Sequence, residues 1–179
     1  MRIAPIEYES ASAQVKALWD AHESAHIMTN MKRTLLHHPL SFQVMMEWYP
    51  LYEQVAKIDG VGELGADIFS YAISSENDCL ICETFFRKIL IDAGRNPDAL
   101  DLSEKERLLT EYGRACVNQP VKVSDALYEK MRAHFSEQEM VLLTTFAGMM
   151  SATNLINHAL AVDLDSRLIG YEKGRKTNG

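Results

Sequence analysis

Cysteine is scarce in this chain, with three among 179 residues. So small and odd a number excludes a disulfide scaffold and fits a reducing compartment, where thiols are buried, catalytic or metal-bound. The expected location is the cytoplasm. Positive charge is also in deficit: 18 Lys plus Arg face 25 Asp plus Glu, for a net charge of -7. Without a basic field to release counterions from phosphates, nucleic acid is not an expected partner. Long apolar runs are missing as well. The most apolar stretch, residues 140–150, is interrupted by Thr144, Thr145 and Gly148 and falls short of the roughly 20 residues that cross a bilayer, so no membrane segment is expected. Residues 1–10 carry Glu7 and Glu9 and lack the basic and apolar regions of a secretory signal, which speaks against export. There is no glycine-rich phosphate loop, no G-x-S-x-G elbow and no basic stripe with interleaved aromatics.

What is present reads as one soluble, globular, all-α domain over residues 1–179, with 47% hydrophobic and 24% charged residues. Six to eight helices are expected. The spacing predicts helices over residues 12–28 and 39–59, with Gly60 and Gly62 punctuating the junction that follows. Val61, Leu64, Ile68, Phe69 and Ala72 recur at helical intervals up to a polar break at residues 74–78, and a new helix is expected from Cys79 to Ala93, closed by Gly94 and Pro97. Ser103 with Glu106 and Ser136 with Glu139 form S-x-x-E capping boxes. Ser124 starts a shorter helix. The apolar segment 136–162 is read as the central core helix or a subunit contact. Only residues 120–123 look strand-like, and the tail 171–179 is expected to fray.

The chemistry concentrates at Cys79-Leu80-Ile81-Cys82, a C-x-x-C at a helix start, where free backbone N–H groups and the helix dipole stabilise a thiolate. Acids at Glu76, Asp78 and Glu83 pull the other way. On a helical wheel Cys79, Cys82, Phe86, Ile89, Leu90 and Ala93 share one stripe, so the sulfurs point inward and can also be read as small buried hydrophobes. A thioredoxin-like domain is a poor fit, because the strands it needs are missing. Two cysteines are half of a zinc site, and no second pair of matching spacing completes it. His22-Glu23-Ser24-Ala25-His26 satisfies H-E-x-x-H, but lacks the continuation and the sheet that support a zincin helix, and it reads as two partly exposed helix histidines. His37-His38 before Pro39 reads as a helix terminus. No metal and no cofactor are expected.

Around these cysteines the chain resembles the carboxymuconolactone decarboxylase and alkylhydroperoxidase D family, whose redox members carry E-x(11)-C-x-x-C-x-x-x-H. The likeness extends to residues 30–39, which are similar to the family's helix leading to its "hhP", to residues 102–109 and 123–135, and to residues 154–165 with Asn157-His158-Ala159-Leu160. It covers about residues 12–165 and implies an alkylhydroperoxidase D-like helical bundle that self-associates. Carried over by position, Cys82 would be the peroxide-attacking thiol and Cys79 the resolving one. Asp67 stands where the family has its glutamate, and Phe86 where it has its histidine. Phe86 neither donates nor accepts a proton; Tyr71, or His158 folded into reach, are the candidate substitutes, with Phe86 and Tyr71 shaping the substrate pocket. Asp67 lies off the apolar stripe of its helix, which would place it on a solvated face. The resemblance implies a thiol peroxidase or dithiol oxidoreductase acting on a small-molecule peroxide or disulfide with an external thiol reductant. Phe86 favours the alternative: a non-catalytic helical oligomer or small-molecule-binding relative whose cysteines are structural or a slow redox sensor.

Overall fold

The computed structural model describes residues 1–118 and 120–174, and its described residues form nine α-helices and two short 3-10 turns without a strand. The fold class is all-α, as the periodicity requires. Residues 120–123, expected to be strand-like, are irregular: with no neighbouring strand to pair with, Lys122 N–H turns back to the Ala115 carbonyl.

Helix α1 (Ala13–Glu23) starts where Ser12 accepts from Val15 N–H, but it ends five residues before the expected Met28. Ser24 Oγ bonds the Ala21 carbonyl, and the next N–H groups fold back onto His22. Thr29 then caps a separate α2 (Asn30–Leu35). The single helix expected over 39–59 is two, α3 (Pro39–Met46) and α4 (Trp48–Ala56). Pro50 explains the break: it has no N–H to give the Met46 carbonyl, so the ladder cannot run through. His38 is the N-cap of α3, its Nδ1 accepting from Ser41 N–H.

The next pair of helices positions the cysteines. Helix α5 (Gly62–Glu76) is longer than expected, taking in Ser74 and Ser75, and every residue from Gly65 to Ser74 is buried. It packs on α4 (above), α6 (Leu80–Asp92), α7 (Glu104–Val117) and α9 (Glu137–Ala159). The central helix is therefore α5, whereas residues 136–162 were expected to supply it. Helix α9 buries one face through Leu143, Phe146, Ala147 and Met150 and leaves Val141 and Leu155 exposed. By length and composition α9 is also apolar enough to cross a membrane; within this fold that apolarity serves packing against α4, α5, α7 and α8 (Asp125–Arg132). Both capping boxes form, at Ser103–Glu106 and Ser136–Glu139. Helix α6 ends in a Schellman motif, with Gly94 at φ 73°, Gly94 N–H on the Ile91 carbonyl and Arg95 N–H on Leu90.

Two apolar clusters result. The larger gathers α4 to α9 around Phe69, Leu109, Leu143 and Phe146; the smaller joins α1, α2 and α3 through Val15, Trp19, Leu36 and Phe42. Of the tail expected to fray, Tyr171 is tied down by Lys88, whose ammonium lies 4.9 Å from its ring centre; residues 175–179 lie outside the described residues.

Gly113 marks the tightest helix contact. A Cβ there would sit 2.7 Å from Phe69 Cε2 and 2.9 Å from Ile73 Cγ1, so α5 and α7 approach only because the methyl group is missing. Gly113→Ala is expected to destabilise the protein by about 1–3 kcal/mol through overpacking, read as a lower midpoint in urea unfolding.

Candidate active site

The site is built where α5 hands over to α6. The α5 helix ends at Asn77, Asp78 takes a left-handed conformation with φ 52°, and Cys79 adopts an extended one as the N-cap of α6. Its N–H returns to the Ser74 carbonyl at 3.0 Å, pinning the turn. Cys79 thus occupies the position where Ser, Asp or Asn ordinarily caps, and Cys82 is the third helical residue. Both cysteines are free thiols and buried, at 1% and 6% exposure.

Helix α9 lays three polar side chains across this turn. Asn154 Oδ1 accepts from Asn77 Nδ2 at 2.9 Å, and His158 Nε2 lies 3.1 Å from the Asn77 carbonyl. Asn157 Nδ2 reaches both sulfurs, at 3.1 Å from Cys82 Sγ and 3.9 Å from Cys79 Sγ. One amide donor therefore serves two sulfur acceptors. The Cys79 thiol is lowered to about 7, first by the Cys82 thiol acting as donor to it, against the cost of burial, and then by the Cys82 backbone N–H, the nearby His158 and the Asn157 amide. Cys82 moves the opposite way, held far up by that same donation and by burial. Of the two thiols Cys79 ionises first, and near neutral pH it is divided between thiol and thiolate while Cys82 keeps its proton.

Cys82, not Cys79, opens onto a cavity of about 100 Å³ at the seam of the two apolar clusters. Trp48, Tyr49, Phe85 and Phe86 supply its aromatic wall, Met45, Met46 and Met150 its flexible one, and Lys32 and Asp165 its polar end. Phe86 is in place as a pocket residue, one turn beyond Cys82 and buried. Tyr71, expected in the pocket, is not on this wall. It is buried in α5, and its hydroxyl serves Arg87, whose guanidinium also grips both carboxylate oxygens of Asp98.

Asp67 is not on a solvated face. It is 6% exposed, because α5 is enclosed on all sides and no face is left for water. Its Oδ1 accepts from Tyr52 Oη at 2.9 Å, and Tyr52 stacks on Trp48 with ring centres 4.9 Å apart. Asp67 thus stands behind Trp48, off the cavity wall, and no polar chain links it to Cys82. Trp48 Nε1 donates to Met150 sulfur at 2.9 Å, and its ring centre lies 6.3 Å from that of Phe86. Burial raises the Asp67 carboxyl to about 6, partly offset by the Tyr52 hydrogen bond.

The H-E-x-x-H histidines are not a surface pair. His22 is buried, edge-on to Phe42, and burial lowers it to about 4; His26 lies beyond the end of α1 and stacks on Tyr49 at 3.5 Å. Sequence reasoning missed Lys32, Trp48 and Tyr49. It quoted Asn157 only as part of a helix and gave Asn154 no role. The available signal was the 154/157/158 spacing, which puts amides and an imidazole on one face of an otherwise apolar helix.

Because the Asp67 carboxyl is raised above its unfolded value of 3.8, the folded protein binds more protons between about pH 4 and 6, and stability falls as pH rises through that window. The expected loss is on the order of 2 kcal/mol. Asp67→Asn should flatten this part of the profile in denaturant titrations at stepped pH.

No protein-family model matches the sequence. A stretch of 60 residues is 35% identical to an uncharacterised protein, YnjA, of Escherichia coli (strain K12), covering 34% of this chain; the match spans only 33% of that protein. Solved structures superpose over nearly the whole chain. An uncharacterised peroxidase-related protein with an alkylhydroperoxidase D core, from Ralstonia eutropha JMP134, aligns with TM-score 0.74 and 17% identity over 93% of both chains. A cysteine-to-alanine variant of the debrominase Bmp8 in complex with 2,3,4-tribromopyrrole aligns with TM-score 0.75 and 12% identity over 96% of this chain and 95% of that one. From Agrobacterium tumefaciens, a protein of unknown function described as a putative antioxidant defence protein aligns with TM-score 0.62 and 20% identity over 72% and 93%. The chain has the alkylhydroperoxidase D fold.

Proposed function

We propose that the protein is a thiol-dependent oxidoreductase of the alkylhydroperoxidase D-like type, with Cys82 as the attacking thiol and Cys79 as the resolving one. The observation that carries this reading is the shared donor: Asn157 hydrogen-bonds both sulfurs, and only Cys82 faces the cavity. Two cysteines kept as mere packing residues would need neither a buried amide nor an open wall.

Once ionised, the pair carries its charge on Cys79, whereas attack needs it on Cys82. One proton transfer across the Cys82–Cys79 hydrogen bond makes the exchange, leaving a Cys82 thiolate and a Cys79 thiol. The thiolate attacks the distal oxygen of a hydroperoxide, the O–O bond breaks, and Cys82 becomes a sulfenic acid. The departing alkoxide takes the Cys79 proton. The Cys79 thiolate then attacks the Cys82 sulfur, forms the disulfide and expels hydroxide, which carries away the negative charge of the starting pair and is neutralised by buffer acid. An external thiol reductant returns two electrons and restores both thiols. Asn157 Oδ1, buried without a hydrogen-bond partner, offers an acceptor to the hydroperoxide O–H. The aromatic cavity wall, and a solved structural relative that holds a tribromopyrrole, favour a compact apolar substrate over free peroxide in bulk water. Asp67, bonded to Tyr52 and off the cavity wall, takes no step in this reading. A reducing cytoplasmic setting and self-association complete it, with Val44, Val141 and Leu155 as exposed apolar contacts.

The test is oxidation by a mild alkyl hydroperoxide followed by thiol counting and mass measurement. Wild type is expected to lose two thiols and gain a Cys79–Cys82 link; Cys79→Ser should stop at a sulfenic acid on Cys82, and Cys82→Ser should not consume peroxide. Thiols that stay inert in the native protein would leave the non-catalytic reading. Phe86→His is expected to raise the second-order rate by about 10²-fold by restoring a proton carrier beside Cys82.

A further inference from the structure

Lys32 is an anomaly at the polar end of the cavity. It is 6% exposed, and its Nζ donates to the Ile27 carbonyl and the Tyr49 hydroxyl, both at 2.6 Å. An ammonium has three N–H groups and only two are used. Among the described residues no carboxylate forms an ion pair with it, and Asp165, which shares its end of the cavity, accepts instead from Asn30 N–H at 2.8 Å. Burying an ammonium with two neutral acceptors is costly, and burial lowers it to about 7, with Arg167 adding repulsion and the Asp165 carboxylate partly offsetting both.

Arg167 is the second anomaly. Its guanidinium lies 5.5 Å from the ring centre of Phe85, a wall residue of the cavity, and Asp165 and Leu168 on either side of it line the cavity themselves. Both Nε and Nη2 are buried without a hydrogen-bond partner. Buried guanidinium nitrogens are almost always satisfied, so a pair left open calls for a missing acceptor. Lys32 at the polar end of the cavity and Arg167 packed against its Phe85 wall thus both carry unused donors, and the same cavity exposes Cys82.

We infer that this cavity takes a compact, ring-sized apolar molecule bearing one carboxylate, held at the acid group by Lys32, Tyr49 and Arg167 and directed toward Cys82 by its apolar body. At about 100 Å³ the cavity is smaller than the roughly 150 Å³ apolar cavities that hold benzene, so a single ring is the upper limit and enters as the flexible Met45, Met46 and Met150 side chains give way. Tyr49 keeps its own proton, as burial raises it to about 12, and its hydroxyl can donate to the ligand while accepting from Lys32. This inference deepens the redox reading by naming its substrate class, yet the binding itself needs no electron transfer.

The experiment is isothermal titration of the full chain with benzoate and with benzamide, its uncharged counterpart, in the absence of peroxide and reductant. Benzoate is expected to bind at least tenfold more tightly. Lys32→Met and Arg167→Met should each remove most of that preference while leaving benzamide binding in place, and the double cysteine variant Cys79→Ser/Cys82→Ser should keep it. Benzoate affinity should also fall as pH rises through about 7, as Lys32 loses its charge; Asp165, Arg167, Tyr49, His22 and His26 are the titratable and charged groups around it, and His22, already low at about 4, does not titrate there. Equal affinity for the two probes, no binding of either, or a preference unchanged in the folded variants would overturn the inference. Should Lys32→Met fail to fold, the Arg167→Met comparison decides alone. Inert thiols with intact benzoate binding would sink the redox reading and leave this site standing.

Discussion

A single side-chain amide holds the active region together. Asn157, projecting from the long last helix, meets two sulfurs that belong to the opening turn of another. A buried thiolate without a donor would reprotonate, and two buried thiols without one would be inert hydrophobes. The amide shifts that balance, and it does so only because α9 is held in register by its capping box at Ser136 and by Asn154 one turn earlier. The chemistry of α6 thus depends on the placement of a helix about 75 residues away in sequence.

The departure at Phe86 has a structural cost that falls on Asp67. In a chain with an imidazole at that position, a buried acid and a thiol could exchange a proton through it. Here an aromatic ring stands between, and Asp67 spends its hydrogen bond on Tyr52. The acid is buried and raised, so it costs stability above about pH 6. The proton economy that remains is local to the two sulfurs, the Asn157 amide and the field of His158.

Much of the fold was legible from local rules. Side-chain caps at Ser12, Ser103, Ser124 and Ser136 marked real helix starts, and Gly94 marked a real end, because capping is decided within one turn. Breaks inside helical-looking stretches were not legible: the stop at Glu23 comes from Ser24 and Thr29 competing for the backbone, and the split at Glu47 from a proline three residues on. The cysteine pair and Phe86 stood out by spacing. Asp67 was misplaced because a wheel assumes that a helix has a wet face, and α5 has none. Lys32 gave no signal at all, since a lysine in a short polar helix is ordinarily solvated; only the packing of Tyr49 and the chain at Ile27 encloses it.

The cavity lies on the boundary between two separately packed clusters, and its walls are divided accordingly. Trp48, Phe85, Phe86 and Met150 of its lining pack with the larger cluster, and Met31, Met45 and Met46 with the smaller one. Replacements at Met31, Met45, Met46 or Tyr49 can therefore reshape the hollow without displacing either sulfur, so the form of the cavity and the placement of the cysteines are set by different parts of the chain.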